Sequence, residues 1–304
     1  MTTGATSGWR RQIPTVVLVL IIAALAVWAI ATGAGAASGV TPMDVVKATI
    51  LVGVGFLAGL LGGLIGTGGC SVMLPIIHFW MGYPAAIAVG TTLFAVIFTA
   101  LSGAYGHLVQ RNVDVRVFLW LGGSGIVGVL IGSWLFTLLS GQAQLLGLSL
   151  GLIFLWPAIR MIYEGVFQRA RSPREGAAAT GSGWGMGVFG LIVGIATGVA
   201  GLGGGYALVP GMIYLFGMPV YITMGTSLAT MIPLAVVGGG IKLAQGFVDL
   251  PTGLLIAAGT IIGAQVGAAI IKRFKPATLK LIFGLYFLYV AVKFITAFFG
   301  IQIW

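Results

Sequence analysis

GLLGGLIGTGGCSVMLPIIHFWMGYP, Gly59 to Pro84, lies over GIATGVAGLGGGYALVPGMIYLFGMP, Gly194 to Pro219, at an offset of 135 residues (194 − 59) without a gap. Working outward, VGTTL (Val89 to Leu93) lies over MGTSL (Met224 to Leu228), and QRNVD (Gln110 to Asp114) over QGFVD (Gln245 to Asp249). Between Gly59–Gly132 and Gly194–Gly267, 23 of the 74 paired positions are identical. Two halves therefore build two copies of one unit. In a membrane chain, duplicated halves with broken hydrophobic segments at matching places point to a transporter whose site lies where the breaks meet.

Composition places the chain in a bilayer. Of 304 residues, 59% are hydrophobic and only 7% charged, with a mean hydropathy of +1.13, too apolar to hide inside a water-soluble core. Apolar runs of about 20 residues between short polar breaks indicate helices, not barrel strands. The net charge of +10 sits in short clusters at the ends of apolar runs, where it acts as a topology signal, so nucleic acid is not expected as a partner. Cys70 is the only cysteine, which excludes an intramolecular disulfide and a cysteine metal cluster.

The first apolar run, Pro14 to about Ala31, reads as a transmembrane helix outside the repeat. The first repeat then has apolar segments at about 44–66, 70–82, 85–109, 115–138 and 143–163; the second has them at about 184–202, 205–217, 219–245, 250–271 and 277–299. The second segment of each set is too short to cross: twelve or so helical residues rise under about 20 Å, against about 30 Å of hydrocarbon. Each is half of a broken or re-entrant hairpin turning at GTGGC (Gly66 to Cys70) or GLGGG (Gly201 to Gly205). With the N-terminus inside, Arg10, Arg11, Arg111, Arg116, Arg160, Arg169, Arg171, Arg174, Lys272, Arg273, Lys275 and Lys280 all fall on the cytoplasmic side. The first repeat then begins outside and the second inside. The expected fold is an all-α polytopic membrane protein, an inverted-topology repeat of two five-segment units with Gly-broken hairpins plus one N-terminal transmembrane helix. Its divisions are that helix (1–40), repeat 1 (41–165), a cytoplasmic linker (166–183) and repeat 2 (184–304), together one membrane domain.

Irregular backbone at membrane depth is tolerated only against protein or a water-filled cavity. The glycine turns leave N–H groups uncovered, and short helices starting at Cys70 and Gly205 would point positive ends inward, which suits an anion; the competing account is close helix packing by small residues. The candidate donors are Gly68, Gly69, Cys70 and Ser71 in one turn and Gly203, Gly204, Gly205 and Tyr206 in the other. Thr91 and Thr92 match Thr226 and Ser227, and their hydroxyls can donate to an oxyanion or bond their own helix carbonyls. His107 and Lys242 share one repeat position and can offer positive charge to a substrate or, being close to helix ends, snorkel to the interface. His78, Gln265 and Lys293 have no chemical counterpart in the other half and read as packing or snorkelling groups.

The acids are Asp44, Asp114, Glu164, Glu175 and Asp249, all at or outside segment ends. None is expected deep enough for a proton relay or sodium site. Asp114 and Asp249 read as helix N-caps. No nucleophile, base and orienting acid occur together, so no enzyme, metal or cofactor is expected.

The paired blocks GTGGCSVMLP and GLGGGYALVP, each followed by GYP or GMP, then GTTL or GTSL, then HLVQRNVD or KLAQGFVD, resemble the sulfite exporter TauE/SafE family over roughly Asp44 to Lys275. The resemblance implies a multi-pass protein of the prokaryotic plasma (inner) membrane that exports a small sulfur-containing anion, sulfite or an organosulfonate. An anion channel using the same helix ends is the alternative, separable by counterflow. The expected partners are the small anion and the lipid bilayer; the sequence leaves the oligomeric state open, a homodimer being one option. Cys70 stands where the second repeat has Gly205, a departure that leaves the particular anion open.

Overall fold

The computed structural model describes residues 4–167, 182–270 and 276–301. The linker 168–181 with Arg169, Arg171, Arg174 and Glu175, and the cluster Lys272, Arg273 and Lys275, lie outside the described residues. Eleven α-helices are found among those described: α1 (Gly4–Thr32), α2 (Val45–Ile65), α3 (Cys70–Pro75), α4 (Ala85–Val109), α5 (Val115–Ser140), α6 (Ala143–Phe167), α7 (Gly183–Ala200), α8 (Gly205–Leu215), α9 (Val220–Ala244), α10 (Leu250–Ile270) and α11 (Pro276–Phe298). Among the described residues, eight helices are long and apolar enough to cross a membrane.

Local chemistry sets the ends. Asp44 and Asp114 cap α2 and α5 by accepting from Lys47 N and Val117 N. Pro84 and Pro219 precede α4 and α9, where a residue without an N–H costs the helix nothing. Two differences from the sequence reading stand out. Helix α1 begins at Gly4 rather than near Pro14, because hydropathy locates a span and not the polar turns that extend it. The first short helix is only six residues long and widens into a π turn, Ile76–Trp80, immediately after Pro75.

Helices α4 and α9 form the centre, packed on each other, with α10 against α4 and α5 against α9. The span in α4 is 83% buried, more than any other, which makes it the core element. Around this pair, α2 packs on α10 and α5 on α7; α6 packs on α11, and α1 on α10. These contacts are reciprocal at the repeat offset. In α2, Gly55, Gly59 and Gly63 face the carbonyls of Ile256, Thr260 and Ala264 in α10, so closely that a Cβ on any of the three would fall on the carbonyl oxygen. In α7, Gly190 and Gly194 face Leu121 O and Gly125 O of α5 in the same way, and Gly198 faces the backbone of Gly132 and Ser133. Helices of lipid-soluble chains gain little from apolar burial against one another, so backbone approach through small residues supplies the packing instead.

The outer pair grips both hairpins. Arg160 of α6 lies over Tyr214 of α8 at 4.4 Å, and Lys293 of α11 over Phe79 in the π turn at 4.7 Å. Phe79 and Tyr214 are repeat equivalents (214 − 79 = 135). Arg160 is also held by Glu164 at 2.8 Å, one turn on, which places that carboxylate inside the last turns of α6 and buries it.

Candidate functional site

The two breaks meet. Gly66 and Gly201 end α2 and α7 in the left-handed region (φ 79° and 67°), each donating its N–H back into the helix, to Gly62 O and Thr197 O at 2.8 Å. Gly68, Gly69, Gly203 and Gly204 continue with positive φ, a path that side-chain-bearing residues avoid. The tips touch: the Cys70 thiol sits against Thr67 O of its own turn, 3.5 Å away, and against Leu202 O of the other. The first N–H groups of α3 and α8 have no partner within their helices. Beside them, Ser71 Oγ and Tyr206 Oη, again equivalents (206 − 71 = 135), are buried without a hydrogen-bond partner among the described residues, as is Thr197 Oγ1 next to Gly204.

The remaining candidates fall into two further clusters, each drawing on both halves. In the first, Thr226 Oγ1 accepts from Asp114 N at 2.9 Å, Ser227 Oγ donates to Gly66 O at 2.8 Å, and His107 packs its Cβ against Gly225. His107 Nε2 lies 3.4 Å from Gly63 O, and its Nδ1 is buried without a partner among the described residues. In the second, Thr91 Oγ1 accepts from Asp249 N at 2.9 Å, and Lys242 Nζ donates to Gly198 O at 2.6 Å while lying 4.3 Å from the Phe136 ring centre. Every pair here, 91 and 226, 114 and 249, 107 and 242, 63 and 198, differs by 135. Thr92 breaks the symmetry. Its hydroxyl donates to Ala88 O of its own helix at 2.8 Å, where Ser227 instead reaches across to the hairpin.

The sequence candidates therefore form a central cluster of turns and two flanking clusters, not one continuous shell. Thr91 and Thr226 use their oxygens to hold the opposite loops, and each keeps its hydroxyl proton to donate. Lys242 is fully buried, and no carboxylate oxygen lies within 4.0 Å of its Nζ among the described residues. An ammonium out of water costs several kcal/mol unless a counter-charge compensates it, so this position favours an anion. No group of three His, Cys, Asp or Glu able to hold a metal occurs among the described residues. Sequence reasoning missed Phe136 under Lys242 and Thr197 beside the second turn. It also missed the acceptors Gly63 and Gly198, although these are identical in the repeat alignment and could have been sought as partners of the 107/242 position.

Of the acids, Asp249 is buried and binds twice: Oδ1 accepts from Ala37 N at 2.9 Å and Oδ2 from Thr252 N at 3.2 Å. His78 stacks on Phe294, and Gln265 donates to Thr15 Oγ1 of α1 at 2.8 Å, both packing roles.

Proteins of similar sequence share one description. The chain is 29% identical over 232 residues to the probable membrane transporter protein YdhB of Bacillus subtilis, covering 76% of this chain and 93% of that protein. It is 27% identical over 251 residues to the probable membrane transporter protein YunE of the same organism, covering 77% and 92%. A probable membrane transporter protein of Xylella fastidiosa is 27% identical over 255 residues, covering 82% and 95%. No solved structure matches the chain. The profile of the sulfite exporter TauE/SafE family matches residues 51–294, a range that takes in both hairpins, all three clusters and the helices that carry them, and the chain belongs to this family of membrane transporters.

Proposed function

We propose that this protein is a secondary transporter that exports a small sulfur-containing anion, sulfite or an organosulfonate, across a prokaryotic plasma membrane by alternating access, with its N-terminus in the cytoplasm. The observation that carries the reading is Lys242: a fully buried lysine whose Nζ has one carbonyl acceptor and no carboxylate within ion-pair distance among the described residues. A transported anion is the counter-charge that such a site lacks. Ser71, Thr197 and Tyr206 add buried hydroxyls with unused hydrogen-bonding capacity at the hairpin tips, and charge-assisted bonds from such groups are roughly twice as strong as neutral ones.

The reciprocal seams support an inverted pair of halves, with the His107 cluster nearer the cytoplasmic face and the Lys242 cluster nearer the outer face. The closed packing between the two turns supports a carrier over a channel. In proteoliposomes, radiolabelled sulfite should show counterflow: unlabelled sulfite trapped on one side accelerates uptake of label from the other. Flux without trans-stimulation would turn the reading to a channel. Absence of both flux and binding for sulfite, sulfate, thiosulfate, taurine and sulfoacetate would remove it.

A further inference from the structure

Two side chains stand where the glycine turns face each other. Val96 of α4 and Met231 of α9 are repeat equivalents (231 − 96 = 135), and both are completely buried. Each touches both turns. A Cβ placed on Gly68 would fall on Met231 Cε and lie 3.6 Å from Val96 Cγ1; one placed on Gly203 would crowd the same Met231 methyl and lie 2.9 Å from Val96 Cγ1 and 3.7 Å from Cys70 Sγ. Apolar groups thus fill a space whose surroundings are polar and unsatisfied. Ser71 Oγ, Thr197 Oγ1 and Tyr206 Oη are all buried without a partner among the described residues.

We infer that Val96 and Met231 form a shared apolar plug that closes the space between the two hairpin tips and sets the largest anion that passes. This rests on the transport reading above. The two residues differ in mobility, although they are equivalent in place. Valine is stiff at χ1, whereas methionine is unbranched with three rotatable bonds and adapts to irregular space. Met231 is therefore the moving part. Swinging its methyl away uncovers the N–H groups and hydroxyls of both turns to one ligand at a time.

The chain's single cysteine reports directly on this space, because Cys70 Sγ lies beside the plug. The full-length protein in detergent or liposomes is treated with a small neutral methanethiosulfonate, and the rate of Cys70 modification is compared among variants. Met231→Ala should raise the rate at least about tenfold, a local opening made easier by the lost contacts, and Val96→Ala should raise it by less. Met231→Leu should stay near wild type. Leu150→Ala, a buried position in α6 away from the turns, should leave the rate unchanged. In the second arm, Met231→Ala proteoliposomes should carry a bulkier sulfonate, such as benzenesulfonate, that wild type excludes. Faster labelling together with no flux of any anion in wild type keeps the plug and discards the transport reading. Flux in wild type with unchanged labelling in both alanine variants overturns the plug and leaves transport standing. A rise of the same size in Leu150→Ala means general loosening and also overturns it, as does faster labelling with no change in the size limit. Should Met231→Ala fail to fold, Met231→Val and Val96→Ala carry the same comparison.

Discussion

Lys242 and His107 occupy one position of the repeat, and each turns to the same carbonyl of its own seam, Gly198 O or Gly63 O. If Lys242 were there for stability, its removal would harm the fold. Replacing a buried charge by an apolar side chain of similar volume is often neutral or stabilising, by about 1–4 kcal/mol. Lys242→Met should therefore keep or raise the unfolding midpoint while anion binding measured by calorimetry falls at least about tenfold, the loss of roughly 1.4 kcal/mol or more. A variant that binds normally but unfolds earlier would make Lys242 a structural residue. The site was legible in the sequence as a list of residue types, because the repeat marks equivalent polar positions. Their grouping was not legible. Whether Thr92 bonds Ala88 O or a hairpin carbonyl depends on one rotamer, and Phe136 reaches Lys242 from a different helix, with no spacing rule to link them.

At the scale of elements, the glycine seams set how close the helices come. Gly194 faces Gly125 O with no room for a Cβ, whereas a Cβ on Gly123, on the same helix α5, meets nothing within 4 Å. Gly194→Val should lower stability by about 1–3 kcal/mol or more through overpacking. Gly123→Ala should be neutral or gain up to about 1 kcal/mol from helix propensity. Thermal unfolding of the purified variants measures both, and equal effects would show that backbone contact does not hold the seam. Helix ends were readable because the signals are local: Asp44 and Asp114 cap, Pro84 and Pro219 start, Gly66 and Gly201 stop. Helix pairing was not readable. The seams α2 with α10 and α5 with α7 join segments far apart in the chain, and glycines spaced by four look the same whether they face a partner or lipid. The π turn after Pro75 was also hidden, since the equivalent Pro210 sits within the regular helix α8.

For the molecule as a whole, the proposed orientation makes the α5–α6 turn face outward and the start of α5 face inward. Gln142 and Arg116 are both exposed. In a Cys70→Ser background, an impermeant thiol reagent applied to intact cells should label Gln142→Cys and spare Arg116→Cys until the membrane is opened; the opposite pattern would overturn the inverted arrangement. The two seams, alike in space, are unlike in time. Gly125 of α5 and Gly194 of α7 are separated by 69 residues (194 − 125), but Gly55 of α2 and Ile256 of α10 by 201 (256 − 55). At a ribosome's pace of about 5–20 residues per second, the exposed glycine face of α2 waits roughly 10–40 s for its partner, about three times as long as that of α5. During that wait the small-residue face of α2 has no seam partner to pack against, so mispairing during synthesis threatens the α2 seam for longer than the α5 seam.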